Sequence, residues 1–127
     1  MKLKHFSLQI GSQIFKAFSD DARIRIMFLL HTHRKLCISD LEHILNFTQT
    51  KTSRHITYLK HAGLLNSYKV NQWVFYEIKE EVTEFVERIF EFINKDAQLE
   101  KDDEIYEILF SNRELSVNKL DTIYNAK

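Results

Sequence analysis

The near absence of glycine and proline is the feature that most constrains this chain. It has no proline and only two glycines among 127 residues. Since these two residues build most tight turns and interrupt helices, we expect a mainly helical chain. The length suits one domain around a single core. No apolar run is long enough for a membrane span, and the lone Cys37 is typical of a reducing compartment, so we expect a cytoplasmic protein.

Apolar residues recur at helical spacing in the first part of the chain. The first predicted helix covers residues 3–18 and carries a stripe of residues four positions apart. This stripe consists of Phe6, Ile10, Ile14 and Phe18. A second helix is predicted from a cap at Asp20 to about His31, because a carboxylate suits the positive end of a helix dipole.

A short helix, a tight turn and another helix are predicted next. The short helix covers 39–45, and we interpret Ser39 and Glu42 as a capping box at its start. Thr48 is the predicted cap of the following helix, and Gly63 ends it where a left-handed residue is needed. Two helices joined by so short a turn are typical of the helix-turn-helix motif.

The hydrophobic period changes after the fourth helix. Residues 64–69 and 73–78 are rich in β-forming side chains and predict a β-hairpin. Residues 80–94 predict a fifth helix with a broad apolar stripe, and 105–110 is a last amphipathic segment that could be helical.

This order of elements predicts a fold that is mainly α with a β-hairpin wing, the winged helix-turn-helix. We expect a DNA-binding and dimerisation domain over 1–95 and an acidic, partly helical C-terminal extension over 96–127. The Phe-rich fifth helix is interpreted as a dimer seam, with a ligand pocket as the alternative, and the first helix offers a second apolar stripe. The residues expected in that seam are Phe6, Ile10, Ile14, Phe85, Ile89, Phe92 and Ile93.

The formal net charge of zero conceals an uneven distribution of charges. Residues 46–76 carry four Lys or Arg and no Asp or Glu, whereas residues 77–107 carry four basic and twelve acidic residues. A surface that binds phosphates could therefore lie on 46–76, with the acidic segment turned away from it.

The fourth helix and the hairpin carry the side chains expected to contact DNA, because in this fold the second helix of the pair enters the major groove. Gln pairs well with adenine, Arg with guanine, and Lys with phosphates. The candidates are Gln49, Thr50, Lys51, Ser53, Arg54, His55, Thr57, Tyr58, Lys60, Lys69, Asn71 and Gln72. For His55, local packing is an equally weighted alternative to DNA contact.

Five segments in order resemble the ArsR/SmtB-type regulators, and together they span residues 14–78. The segments read IFKAFSDDARIRI, LCISDL, TQTKTSRHI, LKHAGLL and WVFY. The resemblance implies a homodimer joined by its first and last helices. It also implies a repressor that sits on a palindromic operator in double-stranded DNA and leaves when a metal or another inducer binds.

The sequence departs from three sensing sites of that family. Where metal sensors carry Cys-x-Cys, this chain has Cys37 and Ser39, and one thiolate holds a soft metal poorly. Residues 80–94 contain no His for a site on the last helix, and no second Cys is present for a disulfide. We therefore predict no metal site and no cofactor, and the inducer is left open. Cys37 is better interpreted as a small buried hydrophobe, and His31 and His33 as surface residues rather than metal ligands with a third partner.

Other functions are weighed against DNA regulation. The chain has no Gly-rich phosphate loop, nucleophile elbow or His-Glu-x-x-His, so we expect no enzyme. The alternative is a winged helix that binds proteins without specific DNA binding, which the basic 46–76 segment disfavours. The acidic stretch 100–107 is interpreted as a solvated helix face, with a protein-docking site as the alternative. Repression is preferred, with activation left open.

Overall fold

A computed structural model describes residues 5–111 of the chain. Its helices and strands in chain order are α1 (Leu8–Ala17), α2 (Asp21–His33), β1 (Leu36–Cys37), α3 (Ile38–Leu45), α4 (Gln49–His61), β2 (Leu65–Val70), β3 (Trp73–Ile78), α5 (Thr83–Ile93) and α6 (Ala97–Ser111), with a short 3₁₀ turn at Glu80–Val82. The predicted mainly α fold with a β-hairpin wing is confirmed. Within the described part, no helix has both the length and the apolar character to cross a membrane.

Polar side chains fix where the first two helices begin. The Ser7 hydroxyl accepts a hydrogen bond from the Ile10 N–H at 3.1 Å, so α1 starts later than the predicted residue 3. Residues 3 and 4 of that predicted helix lie outside the described residues. The Asp20 carboxylate accepts from the Arg23 N–H at 3.2 Å, and this cap of α2 is the predicted one.

The predicted capping box of α3 is wrong. The helix begins at Ile38, with Cys37 in the cap position. Because Cys37 pairs with Phe75 across β1 and β3, the backbone stays extended through Cys37 and turns helical at the next residue. The Asp40 carboxylate then accepts hydrogen bonds from the Cys37 N–H at 3.4 Å and from its thiol at 3.0 Å.

The small antiparallel sheet has the strand order β1-β3-β2. Its hairpin closes with Val70 opposite Trp73 and leaves a two-residue turn. Asn71 occupies that turn at φ 56°, a left-handed conformation that Asn tolerates better than most residues. The two-residue strand β1 was not predicted, since so short a segment shows no period.

Helix α6 completes the hydrophobic core rather than standing apart from it. Leu99 and Leu109 join the same buried cluster as residues of α1 to α5. The helix is longer than the predicted segment 105–110, because it packs along α2 and α3. Residues 112–127, which complete the predicted extension, lie outside the described residues.

A buried ion pair anchors α6 to α2. The Arg25 guanidinium donates two hydrogen bonds to the Asp102 carboxylate, at 2.8 and 2.9 Å, and the Gln98 side-chain amide donates a third at 2.9 Å. Asp102 is 0% exposed, and its hydrogen bonding raises the pKa of Arg25. The interpretation of 100–107 as a wholly solvated face is therefore wrong at Asp102, because Arg25 compensates the burial of its charge.

Candidate nucleic-acid interface

Helix α4 divides into a buried face and an exposed polar face. Thr52, Ile56 and Leu59 are buried against the rest of the chain. The outward-facing side chains are those of Gln49, Thr50, Lys51, Ser53, Arg54, Thr57, Tyr58, Lys60 and His61. One side of the helix thus holds it in place while the other presents amide, hydroxyl, ammonium and guanidinium groups to solvent.

The first two turns of the exposed face form an open, shallow depression. It is lined by Gln49, Thr50, Ser53, Arg54 and Thr57. The helix start is fixed by Thr48, whose hydroxyl accepts from the Lys51 N–H at 3.1 Å. These five side chains can donate to or accept from flat, polar ligand edges, and none of them is acidic.

The hairpin wing extends the polar surface. Lys69, Asn71 and Gln72 are exposed around its turn. The Lys60 ammonium donates to the Ser67 hydroxyl at 2.9 Å and so joins the end of α4 to β2. The candidate interface therefore comprises the exposed face of α4 and the tip of the wing.

His55 lies on the inner side of α4, in contrast to the other candidates. It is 6% exposed, and its Nδ1 is 3.4 Å from Nη1 of Arg23. Burial lowers the pKa of His55, nearby cations including Arg23 lower it further, and Asp20 opposes the change. This placement favours the local-packing alternative for His55.

Arg23 contacts α4 and supports the candidate interface, although it was not among the residues predicted from the sequence. Its guanidinium donates to the carbonyls of Ala17 at 2.8 Å and Lys16 at 3.1 Å, and it lies 4.0 Å from the centre of the Tyr58 ring. Arg23 thus ties the end of α1 to α4 and covers one side of Tyr58. It belongs to the segment IFKAFSDDARIRI, but no spacing rule indicates that it reaches α4.

The residues predicted for the dimer seam fall into three groups. Ile14 is buried within its own subunit, while Phe6, Phe85 and Ile89 are half-buried. The exposed members are Ile10, Phe92 and Ile93, and Phe92 is 87% exposed. Leu8 and Phe15, which the prediction omitted, are 91% and 66% exposed.

Phe85 packs α5 against aromatic side chains in and beside α1. Its ring makes edge-to-face contacts with Phe6, Phe15 and Phe18, at centroid distances of 5.3, 6.2 and 6.5 Å. We call the exposed residues Leu8, Ile10, Phe15, Phe92 and Ile93 the α1/α5 patch.

The potential sensing residues occupy two separate places. Cys37 is buried, and burial together with the charge of Asp40 raises the pKa of its thiol, which suits the hydrophobe interpretation. His33 lies beside Asp103 and Glu107 of α6. The interpretation of His33 as a surface residue is wrong, because its side chain is only 11% exposed. The two acids beside it were not predicted from the sequence, because the docking of α6 on α2 could not be predicted.

Comparisons with known proteins agree with this architecture. The family model described as "Bacterial regulatory protein, arsR family" matches residues 20–67. The arsenic resistance transcriptional regulator ArsR1 of Pseudomonas putida is 38% identical over 74 residues, which cover 58% of each chain. The arsenical resistance operon repressor of Escherichia coli is 34% identical over 85 residues, covering 67% of this chain and 73% of that one.

A solved structure shows the same fold. It is the homodimeric winged helix-turn-helix DNA-binding domain Mb0332 of Mycobacterium bovis, with a TM-score of 0.63 and 18% identity, covering 73% of this chain and 92% of that one. The winged helix-turn-helix predicted from the sequence is thereby confirmed.

Proposed function

We propose that this chain, which belongs to the arsR family of bacterial regulatory proteins, is a transcriptional repressor that binds an operator in double-stranded DNA as a homodimer. The observation that carries the proposal is the exposed face of α4, whose hydrogen-bonding and basic side chains include no carboxylate. The name of the Escherichia coli relative, an operon repressor, supports repression. Such a protein works in the compartment that holds the DNA, the cytoplasm.

The depression on α4 supplies the base contacts in this proposal. Gln49 would read adenine and Arg54 would read guanine, each through a planar pair of polar groups. Thr50, Ser53 and Thr57 are short enough to let the helix enter the major groove, and their hydroxyls can bond either bases or phosphates. These contacts would give the sequence preference.

The cations around α4 and the wing supply phosphate contacts. Lys51 and Lys60 lie on α4, and Lys69 lies beside the wing turn with Asn71 and Gln72. Phosphate contacts fix the register of a protein on the duplex without reading its sequence. They also make binding fall as salt rises, because counterions are released from the DNA.

The α1/α5 patch is the proposed dimer interface. A second copy would cover Leu8, Phe15 and Phe92, which otherwise expose large apolar side chains to water. The homodimeric state of the Mycobacterium bovis neighbour supports this assignment. Two-fold symmetry would place the two α4 helices in half-sites roughly 34–36 Å apart, one turn of DNA.

Arsenic sensing by thiols is not part of the proposal, although two relatives are named for arsenic resistance. Soft metals and metalloids prefer several thiolates, and the chain has only Cys37, which is buried. We expect arsenite to leave operator binding unchanged.

Fluorescence anisotropy tests the function. The protein is titrated onto the duplex upstream of its own gene and onto a scrambled duplex, across a series of salt concentrations. Arg54→Ala should weaken operator binding by about 1–3 kcal/mol and relax the base preference. The matched control is Arg88→Ala, an exposed arginine on the acidic helix α5, which should bind as the unchanged protein does.

The opposite outcome favours the protein-binding alternative. If the upstream fragment, further upstream regions and selected random duplexes all bind weakly and equally, the DNA-reading role of α4 is wrong. Equal affinities of Arg54→Ala and Arg88→Ala for a bound operator would contradict the role of Arg54 alone.

A further inference from the structure

We propose that His33, Asp103 and Glu107 form a binding site for a divalent transition-metal ion such as Zn²⁺, located where the end of α2 meets α6. Their ligand atoms, one imidazole nitrogen and two carboxylate oxygens, all lie within 4.8 Å of one another. The site lies within one subunit, contains no cysteine and does not involve α5. It differs in these respects from the sensing sites considered in the sequence analysis.

The distances suit a single ion after a small movement. Bonds from Zn²⁺ to His nitrogen and carboxylate oxygen measure about 2.0–2.2 Å, so two ligands of one ion are at most about 4.4 Å apart. In a tetrahedral site two such ligand atoms are about 3.3–3.6 Å apart. The 2.5 Å hydrogen bond between His33 Nε2 and Asp103 Oδ1 would therefore open by about 1 Å as the ion enters. Glu107 is exposed, so its side chain can rotate toward the other two ligands without disturbing the core.

The imidazole is held in position before any ion arrives. The His33 ring stacks on Tyr106 with 3.3 Å between centroids and 15° between planes, and Tyr106 stacks in turn on Phe110 at 4.4 Å. Asp103 and Glu107 stand four residues apart on α6, so they project from the same side of the helix. A ligand that is ordered in advance, as His33 is, loses less entropy when the ion binds.

The local charges favour a cation with two positive charges. Two carboxylates and a neutral imidazole carry a charge of −2, which a divalent ion neutralises. His33 is the last residue of α2, where the helix dipole places partial negative charge. The neighbouring Asp102 is already paired with Arg25, and within residues 5–111 no Lys or Arg forms a salt bridge with Asp103 or Glu107.

The donor set selects the class of metal. Imidazole nitrogen suits Zn²⁺, Co²⁺ and Ni²⁺, whereas Mg²⁺ and Ca²⁺ prefer oxygen ligands alone and softer ions prefer thiolates. Three protein ligands leave a fourth position of a tetrahedral site for water. An ion bound here would link α6 to α2 and stabilise the docked helix, because it binds the folded state and not the unfolded one.

Cobalt absorption spectroscopy tests the site on the full chain. We expect Co²⁺ to give visible d–d bands that saturate at one ion per subunit and vanish when Zn²⁺ is added. Zn²⁺ should also raise the melting temperature and slow proteolysis of α6. Glu107→Gln removes an exposed ligand without disturbing the core, and Glu104→Gln is the matched control, an exposed glutamate on the same helix.

The variants have distinct expected results. Loss of even an outer partner of a ligand costs roughly 10–100-fold in metal affinity, so Glu107→Gln and Asp103→Asn should each weaken Co²⁺ binding by at least about tenfold. Glu104→Gln should bind Co²⁺ as the unchanged protein does. His33→Gln should abolish the d–d bands, with circular dichroism showing that it remains folded.

Two results would overturn the proposal. One is the absence of stoichiometric Co²⁺ binding by the unchanged protein. The other is binding that Glu107→Gln weakens no more than Glu104→Gln does, which would place the ion elsewhere. Neither result bears on DNA binding.

Discussion

Replacing Arg25 with methionine removes the partner of a carboxylate that has no access to water. Asp102 is 0% exposed and receives two hydrogen bonds from Arg25 and one from Gln98. Methionine keeps most of the buried stem but removes the charge and both hydrogen bonds. Only the Gln98 bond would then remain to stabilise the buried charge.

Replacing Arg25 should lower the free energy of unfolding more than replacing Asp102 does. Leaving a buried charge without its partner costs about 3–5 kcal/mol, so Arg25→Met should lower the free energy of unfolding by that amount. Asp102→Asn should cost less, about 1–2 kcal/mol, because the amide oxygen still accepts hydrogen bonds. Arg25, whose side chain is 22% exposed, can also recover water.

Urea unfolding followed by circular dichroism measures these costs. With slopes of about 1–3 kcal/mol per molar urea, the midpoint of Arg25→Met should fall by more than about 1 M. The double variant Arg25→Met/Asp102→Leu should recover much of the loss, since an apolar pair of similar volume needs no compensation. A cost for Arg25→Met below that of Asp102→Asn would refute this reasoning.

Three further predictions concern the dimer and two of the buried titratable side chains, His55 and Cys37. Phe92→Glu should produce monomers in sedimentation velocity, whereas Ile108→Glu, a 70% exposed control on α6, should leave the dimer intact. Burial lowers the pKa of His55 in the folded protein. The neutral imidazole therefore stabilises the fold fully at pH values above the ordinary histidine pKa of about 6.5. This stability is lost as the pH falls through the lowered pKa. The melting temperature should then decline less between about pH 7 and 5 in His55→Gln than in the unchanged protein. Because burial and Asp40 raise the pKa of the Cys37 thiol, alkylation of the folded protein should be far slower at neutral pH than alkylation in urea, and equal rates would contradict its burial.

The local signals of the sequence predicted most of the helices and the wing. Capping at Asp20 and Thr48, the left-handed Gly63 and the hairpin strands all depend on interactions within a few residues, and each is confirmed. The outer face of α4 could be predicted for the same reason. An α-helix has a fixed period, so a buried stripe at Thr52, Ile56 and Leu59 determines which side chains face outward.

Contacts between elements that are distant in the chain could not be predicted from these local signals. The strand β1 exists only because β3 pairs with it, and this pairing moved the start of α3 to Ile38. Arg23 reaches Tyr58 only because α2 packs near α4. His55 follows the polar pattern of α4 in sequence yet lies on its inner side, where Arg23 meets it.

The sequence by itself therefore determined the order of the main elements, the basic surface and the family, because periodicity, capping and charge are properties of neighbouring residues. Only the tertiary structure decided the role of the acidic C-terminal segment. Its charges look uniformly solvated in sequence, but the docking of α6 buries Asp102 against Arg25 and brings Asp103 and Glu107 to His33. The partner of a charge on another helix depends on how the two helices pack, and no local pattern encodes that packing.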